Sequence, residues 1–300
     1  MADVHHIRNP VEWAWDHVTD AATSVASLGH VLMGSAKARN APLPTVRRIG
    51  LADLRDALAK GVDDFEAYRS DVIFLFLIYP VIGLVLAWLT IGNNVLPLLF
   101  PLASGFALLG PVAAVGLYEM SRRREQSAAV NWADAFGVTR SPAFGAMLLL
   151  GIGLLGIFVL WLAAAYAIFY VTVGPEQPTS IAAFARDVFT TTPGWWMIAA
   201  GMGVGFLFAV LVLTISVVSF PLLLDRDVGL PVAVVTSFRV ATENPGPVAA
   251  WGLIVAAGLA LGSLPFLLGL IVVLPVLGHA TWHLYRRAVE PEPTEIRAGA

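Results

Sequence analysis

Long apolar segments separated by short polar stretches dominate the pattern of this chain. An α-helix rises about 1.5 Å per residue and the hydrocarbon layer of a bilayer is about 30 Å thick, so roughly 20 apolar residues make one span. Six segments meet this requirement. We predict membrane-spanning helices over residues 72–91, 95–120, 143–173, 195–224, 248–264 and 265–285. The last two form one apolar run, and Gly262-Ser263-Leu264-Pro265 is its predicted break.

Shorter amphipathic patterns precede the spans. Residues 1–43 place apolar residues on one helical face, which predicts an N-terminal cytoplasmic amphipathic region that lies on the membrane or packs on the protein's own cytoplasmic side. Similar short helices are predicted at 54–71, 132–145 and 231–247, each directly before a span. A further short helix is predicted near 181–189, between the third and fourth spans.

These patterns predict an all-α membrane protein. Its membrane domain, residues 44–287, is predicted to consist of three hairpins of two transmembrane helices, each preceded by a short cytoplasmic amphipathic helix. Because each copy begins on the same side, the three hairpins form parallel repeats around an axis along the membrane normal. Residues 288–300 are a predicted cytoplasmic tail.

The positive charges predict the orientation of the chain. All but one of the 18 Lys and Arg residues lie before the first span, after the last one, or in the loops of the same parity, and Arg186 is the exception. Cationic side chains near span ends stay in the cytoplasm, so both termini are predicted to be cytoplasmic. Arg greatly outnumbers Lys, and Ala and Gly are abundant, as is typical of a GC-rich bacterium; we therefore predict a bacterial inner-membrane location.

Composition excludes several classes of function. The chain is 58% hydrophobic and only 13% charged, far from the roughly 25% charged residues of soluble domains. It has no cysteine, so disulfides, thiolate metal sites and a Cys nucleophile are excluded. The mixed charges of the polar segments give no nucleic-acid signature, and no nucleotide-binding or hydrolase motif is present. The expected surroundings are the lipid bilayer and, as a partner, a second membrane protein.

Glycines on the predicted spans favour close helix packing. Gly258 and Gly262 form a small-xxx-small face in the fifth span. Further glycines recur in the third and fourth spans and are expected to let neighbouring backbones approach: Gly151, Gly153, Gly156, Gly201, Gly203 and Gly205.

Several motifs resemble a known family. They include Pro44-Thr-Val-Arg-Arg-Ile-Gly-Leu51, Gly105-Phe-Ala-Leu-Leu-Gly-Pro111, Gly116-Leu-Tyr-Glu-Met-Ser-Arg-Arg-Arg-Glu125 and Ser219-Phe-Pro-Leu-Leu-Leu-Asp225. Together they resemble the bacterial integral-membrane domain-of-unknown-function family 2189, over residues 44–287. The resemblance implies a membrane fold and location. It implies no catalytic residue and no cofactor, because the family carries no assigned activity.

Two histidines are the first candidates for chemistry. His279 and His283 are four residues apart in the sixth predicted span, so they share one helical face. Ionisable residues inside a span are costly and suggest function. The pair is interpreted either as a metal or proton site or as a hydrogen-bonded interfacial pair. The second interpretation is favoured, because further ligands are missing from the sequence pattern.

Charged residues at the span ends form the second set of candidates. Glu119 and Arg122 are one helical turn apart, and Arg239 and Glu243 are an i, i+4 pair. Asp225 ends the fourth predicted span. Structural ion pairs are the favoured interpretation. If the repeat is present, these groups converge with the two histidines at a cytoplasmic mouth, where a ligand would bind.

The leading functional expectation is a non-enzymatic accessory, assembly or envelope factor that acts by association and needs no cofactor or metal. Few polar groups lie in the spans, whereas a long amphipathic segment precedes them. The alternative is a carrier or channel for a small solute that uses the cytoplasmic mouth. An intramembrane enzyme is a third possibility, for which the spacing supplies no nucleophile and base.

Overall fold

The structure is a computed structural model that describes residues 42–76, 96–126, 137–139, 141–176 and 180–291, with positions 81, 83–85, 88, 135 and 178. Most of the predicted amphipathic region 1–43, half of the first predicted span, part of the predicted helix 132–145 and the tail beyond 291 lie outside these residues. The helices are α1 Leu51–Phe76, α2 Leu99–Phe106, α3 Gly110–Ala113, α4 Val115–Glu125, α5 Phe144–Thr172, α6 Ile181–Thr190, α7 Thr192–Ser216, α8 Ser219–Asp225, α9 Leu230–Glu243, α10 Pro245–Ser263 and α11 Leu270–Ala288.

Local sequence explains where several helices begin. The Ser180 side chain accepts a hydrogen bond from the backbone N–H of Ala183 and caps α6, which confirms the short helix predicted near 181–189. Thr191 caps α7 in the same way through Gly194 N–H. Prolines occupy the first turn of α7, α9 and α10, where a missing N–H costs nothing.

Four stretches of the described residues are long and apolar enough to cross a membrane. They are Leu99–Glu125, Phe144–Thr172, Thr192–Asp225 and Pro245–Ser263. These stretches correspond to the second, third, fourth and fifth predicted spans, with boundaries shifted by a few residues. Two of them are interrupted: a 3-10 turn at Ala107–Leu109 separates α2 from α3, and α7 and α8 are separated at Val217 and Val218.

The sixth predicted span, 265–285, differs from the structure. Residues 264–269 form the turn, so α11 begins only at Leu270. Its first half is apolar, but its second half carries His279, His283 and two arginines, and α11 is not among the candidate spans. The polar half is buried against other helices. A count of apolar residues along the sequence does not detect such burial. The threefold repeat stays a prediction.

The closest packing lies at one end of the bundle. This packed end comprises α4, α8, α9, the second half of α11 and the first half of α1, and its largest fully buried side chains include Tyr118, Phe220, Trp282 and Tyr285. Elsewhere, α5 and α7 expose large apolar side chains such as Leu155 and Phe206. An apolar surface of this kind fits lipid, whereas the packed end resembles the core of a soluble domain.

The segment before α1 is tied to the end of α11. Val46 and Val289 form an antiparallel bridge, with Arg47 N–H donating to the carbonyl of Ala288. Asn244, between α9 and α10, accepts from the N–H of Ile49 at 2.9 Å and donates to the carbonyl of Arg47. These hydrogen bonds therefore hold the start of α1 next to the start of α10 and the end of α11.

Glycines explain two close helix contacts and correct one prediction. A Cβ on Gly61 of α1 would lie 2.7 Å from the carbonyl oxygen of Val276 in α11, so these helices touch through backbone. Gly258 and Gly262 face α11, as their spacing predicts. In contrast, Gly153, Gly156, Gly201 and Gly203 have open space where a Cβ would stand, so they do not mediate helix contacts within the described chain.

Candidate functional site

A buried carboxylate lies at the centre of the packed end. Leu54, Ala57, Gly61 and Asp64 follow one another at helical spacing along α1, and all four are buried against neighbouring helices. Asp64 is 3% exposed. Its carboxylate accepts a hydrogen bond from Ser121 Oγ at 2.6 Å and is contacted by His283 Nε2 at 2.9 Å.

Arg124 completes the surroundings of this carboxylate. Its guanidinium donates a hydrogen bond to the second oxygen of Asp64 and lies over the ring of Tyr68. Three helices, α1, α4 and α11, therefore meet at one acidic side chain. Asp64, Ser121, Arg124, His279 and His283 are called the Asp64 cluster below.

The Ser121 hydroxyl determines the proton arrangement on His279. Ser121 has one proton, and it is donated to Asp64. The contact of 2.8 Å between Ser121 Oγ and His279 Nδ1 is then a hydrogen bond in which Nδ1–H is the donor. In the neutral ring, Nε2 is an acceptor, and no hydrogen-bond partner of normal geometry contacts it in the described residues.

The partners of Asp64 favour its ionised form. Burial alone raises the pKa of a carboxyl group, but hydrogen bonds from His283 and Ser121 and the electrostatic effect of the two nearby imidazole rings act in the opposite direction. The hydrogen bonds and charges outweigh burial and lower the pKa of Asp64 from 3.8 to about 2. Asp64 is therefore an anion throughout the physiological range.

A second set of ionic contacts extends from the Asp64 cluster to α8. The other ring nitrogen of His283, Nδ1, lies 3.6 Å from Glu125 Oε1. Glu125 pairs with Arg286 at 3.2 Å, and Arg286 reaches Asp225 at 3.4 Å. Tyr285 donates its hydroxyl to Asp225 at 2.6 Å. These contacts link α4, α11 and α8 in one continuous series of polar side chains.

Glu119 belongs to a separate contact on α4. It is buried and pairs with Arg122 Nη2 at 2.8 Å and with Arg123 Nε at 2.7 Å. The predicted ion pair of Glu119 with Arg122 is therefore present, and Arg123 joins it. Arg239 and Glu243 also form their predicted pair, at 3.1 Å, on the exposed side of α9.

The structure brings only some of the predicted residues together. His279 and His283 meet in the Asp64 cluster, and Asp225 joins it through Glu125 and Arg286. Glu119 and Arg122 pair within α4, and Arg239 and Glu243 pair within α9. The proposed ligand site at a cytoplasmic mouth stays a prediction.

The sequence interpretation missed the central residue. Asp64 is the only charged member of the face that Leu54, Ala57 and Gly61 define, and an acidic residue on an apolar face signals a buried partner. Ser121, Arg124 and Glu125 were not distinguishable in the same way, because a run of arginines after a span is also typical of a solvated helix end.

The cluster contains a serine, a histidine and an aspartate, the residue types of many hydrolases. Here Ser121 donates directly to Asp64, so the histidine does not accept the serine proton as a general base does. Ser121 and His279 are almost fully buried. Among the described residues, no group of three His, Asp or Glu has the geometry of a metal site. The arrangement is suited to joining helices.

Comparison with known proteins identifies a family over part of the chain. Residues 99–225 match the model of a family described as predicted integral membrane protein (DUF2189). The match runs from the start of α2 to the end of α8 and confirms the predicted resemblance over that range. Ser121, Arg124, Glu125 and Asp225 lie within it, whereas Asp64, His279 and His283 do not. No curated protein and no solved structure matches the chain.

Proposed function

We propose that this integral membrane protein acts by association, as a non-enzymatic accessory, assembly or envelope factor of the bacterial inner membrane. The observation that supports this proposal most is that the buried charged side chains are paired within the protein. Asp64, Glu119 and Asp225 each bind side chains of the same chain, and two of them join different helices. They hold the packed end together.

A carrier for a charged solute needs a charged group that exchanges its protein partner for the solute. Asp64 has three partners with hydrogen-bonding geometry, and Glu119 is shared by two arginines. Replacing such partners costs several kcal/mol, on the order of what breaking a buried ion pair costs. The geometry therefore favours a structural role for the cluster over solute binding.

The proposed orientation places the packed end in the cytoplasm. Arg124, Arg286 and Arg287 lie at this end, together with the start of α1. Cationic residues are retained on the cytoplasmic side, and Arg186 alone lies beyond the opposite end of the described spans. The large apolar side chains exposed on α5 and α7 then face lipid or a membrane partner.

Purification in a mild detergent tests association. The full-length protein is expected to recover a stoichiometric membrane-protein partner after chemical crosslinking in intact cells. The control is the same preparation without crosslinker, followed by washing at high salt, which removes partners bound only through surface charge. A monomer or a homo-oligomer with no stoichiometric partner under both conditions contradicts the proposal.

A proton-coupled carrier is the alternative function, and one observation favours it. The imidazole of His283 lies between the carboxylates of Asp64 and Glu125, an arrangement that can hold and release a proton. Asp64→Asn removes the central charge, and Asp63→Asn is the matched control, because Asp63 is exposed. A cellular phenotype lost in Asp64→Asn at unchanged protein level, and retained in Asp63→Asn, supports the carrier.

A further inference from the structure

The turn between α10 and α11 exposes an unusual set of side chains. Residues 264–269 read Leu-Pro-Phe-Leu-Leu-Gly, and no polar side chain interrupts them. Leu264, Phe266 and Leu268 are 77%, 83% and 56% exposed. A turn at an aqueous surface is usually polar, because large apolar side chains in contact with water are unfavourable.

The backbone of this turn satisfies much of its own hydrogen bonding. The N–H groups of Leu264, Leu267 and Leu268 donate to the carbonyls of Leu261, Ser263 and Pro265, and those of Leu270 and Ile271 donate to carbonyls within the turn. Ser263 donates its hydroxyl to the carbonyl of Leu259 at 2.7 Å. Such internal pairing is what hydrocarbon surroundings require.

The turn is also strained. Phe266 and Leu267 have φ values of 52° and 67°, in the left-handed region that residues with a Cβ adopt rarely. Such a conformation persists only where the surrounding structure holds it. The turn is therefore a defined feature of the hairpin.

Contacts with α7 give the depth of the turn. A Cβ on Gly252 of α10 would lie 2.7 Å from the side chain of Leu213 in α7, so these residues are level. Leu264 lies twelve residues beyond Gly252, or about 18 Å along the helix. Because α7 runs in the opposite direction to α10, the residue of α7 at the depth of Leu264 is the one twelve residues before Leu213, which is Gly201.

The far boundary of the membrane is marked by aromatic side chains. Tyr166, Tyr170, Trp195 and Trp196 are exposed at the ends of α5 and α7 that lie away from the packed end. Tyr and Trp gather at the membrane–water interface. Trp195 is six residues beyond Gly201, so Leu264, the first residue of the turn, lies about 9 Å short of this aromatic level.

A contact between α11 and α4 gives a second, independent indication of the depth of the turn. A Cβ on Gly278 of α11 would lie 2.4 Å from the side chain of Leu117 in α4. Leu268 is ten residues from Gly278, and ten residues back from Leu117 is Ala107. The described chain on this side begins eleven residues farther back, at Leu96, so it extends farther from the packed end than the turn does.

We infer that α10 and α11 form a re-entrant hairpin, which enters the bilayer from the packed end and turns within the hydrocarbon layer. Leu264, Phe266 and Leu268 contact lipid acyl chains. The fifth and sixth predicted spans then do not cross the membrane. Because two crossings and a re-entrant hairpin both return the chain to the side from which it entered, the predicted location of the C-terminus is unchanged. The short apolar half of α11, Leu270 to Gly278, is long enough for this path and too short for a span.

Spin labels at single cysteines test this inference, because the chain has no cysteine of its own. A nitroxide at Phe266→Cys in the full-length protein in lipid nanodiscs is expected to collide more often with oxygen than with a water-soluble nickel chelate. Phe206→Cys, on the exposed face of α7, is the reference for the hydrocarbon layer, and Glu176→Cys, in an exposed loop, is the reference for water.

A label at Trp195→Cys supplies the far interface, and the Phe266 label is expected to be deeper than it. Leu264→Cys provides a second position if the Phe266 variant does not fold. Nickel-dominated collisions at the turn, or a depth equal to that of Trp195, overturn the re-entrant hairpin and favour a full crossing. This outcome is independent of the proposed function, which concerns association with a membrane partner.

Discussion

At the residue scale, the packed end depends on Asp64. Its carboxylate joins α1 to α4 and α11 through Ser121, Arg124 and His283. The helical spacing of Leu54, Ala57 and Gly61 places Asp64 on their buried face, a signal that the sequence analysis did not use. Its partners were not predictable, because they come from segments far apart in sequence and their meeting depends on how three helices pack.

Asp64→Asn is expected to destabilise the protein by about 2 kcal/mol, because charge-assisted hydrogen bonds are replaced by neutral ones. Asp63→Asn, at the exposed neighbouring position, is expected to change the free energy of unfolding by less than about 0.5 kcal/mol. Thermal unfolding of both variants in the same detergent measures the difference. Equal stability of the two variants contradicts the assigned role of Asp64.

The stability contributed by Asp64 has a defined pH dependence. The folded protein lowers the pKa of this carboxyl from 3.8 to about 2, so its contribution is fully present above the unfolded value. As pH falls through this interval, the folded state loses the contribution. The stability difference between the wild type and Asp64→Asn is expected to shrink as the pH falls below about 4. A difference that grows on acidification below about pH 4 contradicts this role of Asp64.

At the element scale, the path of the polypeptide was only partly predictable. Apolar length predicted the helices α5, α7 and α10 within a few residues, because these segments are apolar on every face. In the region of the sixth predicted span, α11 begins at Leu270, five residues after the predicted start, and buries a polar half against α1. Hydropathy alone does not distinguish side chains that face lipid from those that face another helix.

The contact between α1 and α11 depends on Gly61. A Cβ at this position would lie 2.7 Å from both Ala280 Cβ and Val276 O, so Gly61→Ala forces the two helices apart. We expect a loss of about 1–3 kcal/mol, the usual cost of overpacking. Gly156→Ala in α5 is the matched control, because its Cβ meets open space and Ala is the better helix former. Thermal unfolding is again the measurement, and a more stable Gly61→Ala variant would show that the helices do not touch there.

At the scale of the whole molecule, charge and hydropathy predict a topology that is testable without knowledge of function. Glu176→Cys, in the loop before α6, is expected to react with a membrane-impermeant maleimide in intact cells. Thr242→Cys, exposed near the end of α9, is expected to react only after permeabilisation. The reverse pattern would place the packed end outside the cell and remove the basis for the proposed orientation.

Site-specific photocrosslinking in living cells is the decisive test of association with a membrane partner. A photoreactive phenylalanine analogue is placed at Leu155 or Phe206, which are exposed on α5 and α7, with the buried Trp282 as the control. We expect one discrete crosslinked product that contains a different membrane protein, formed from an exposed site and absent from the control. Self-crosslinks alone, or no product from either exposed site, would contradict it.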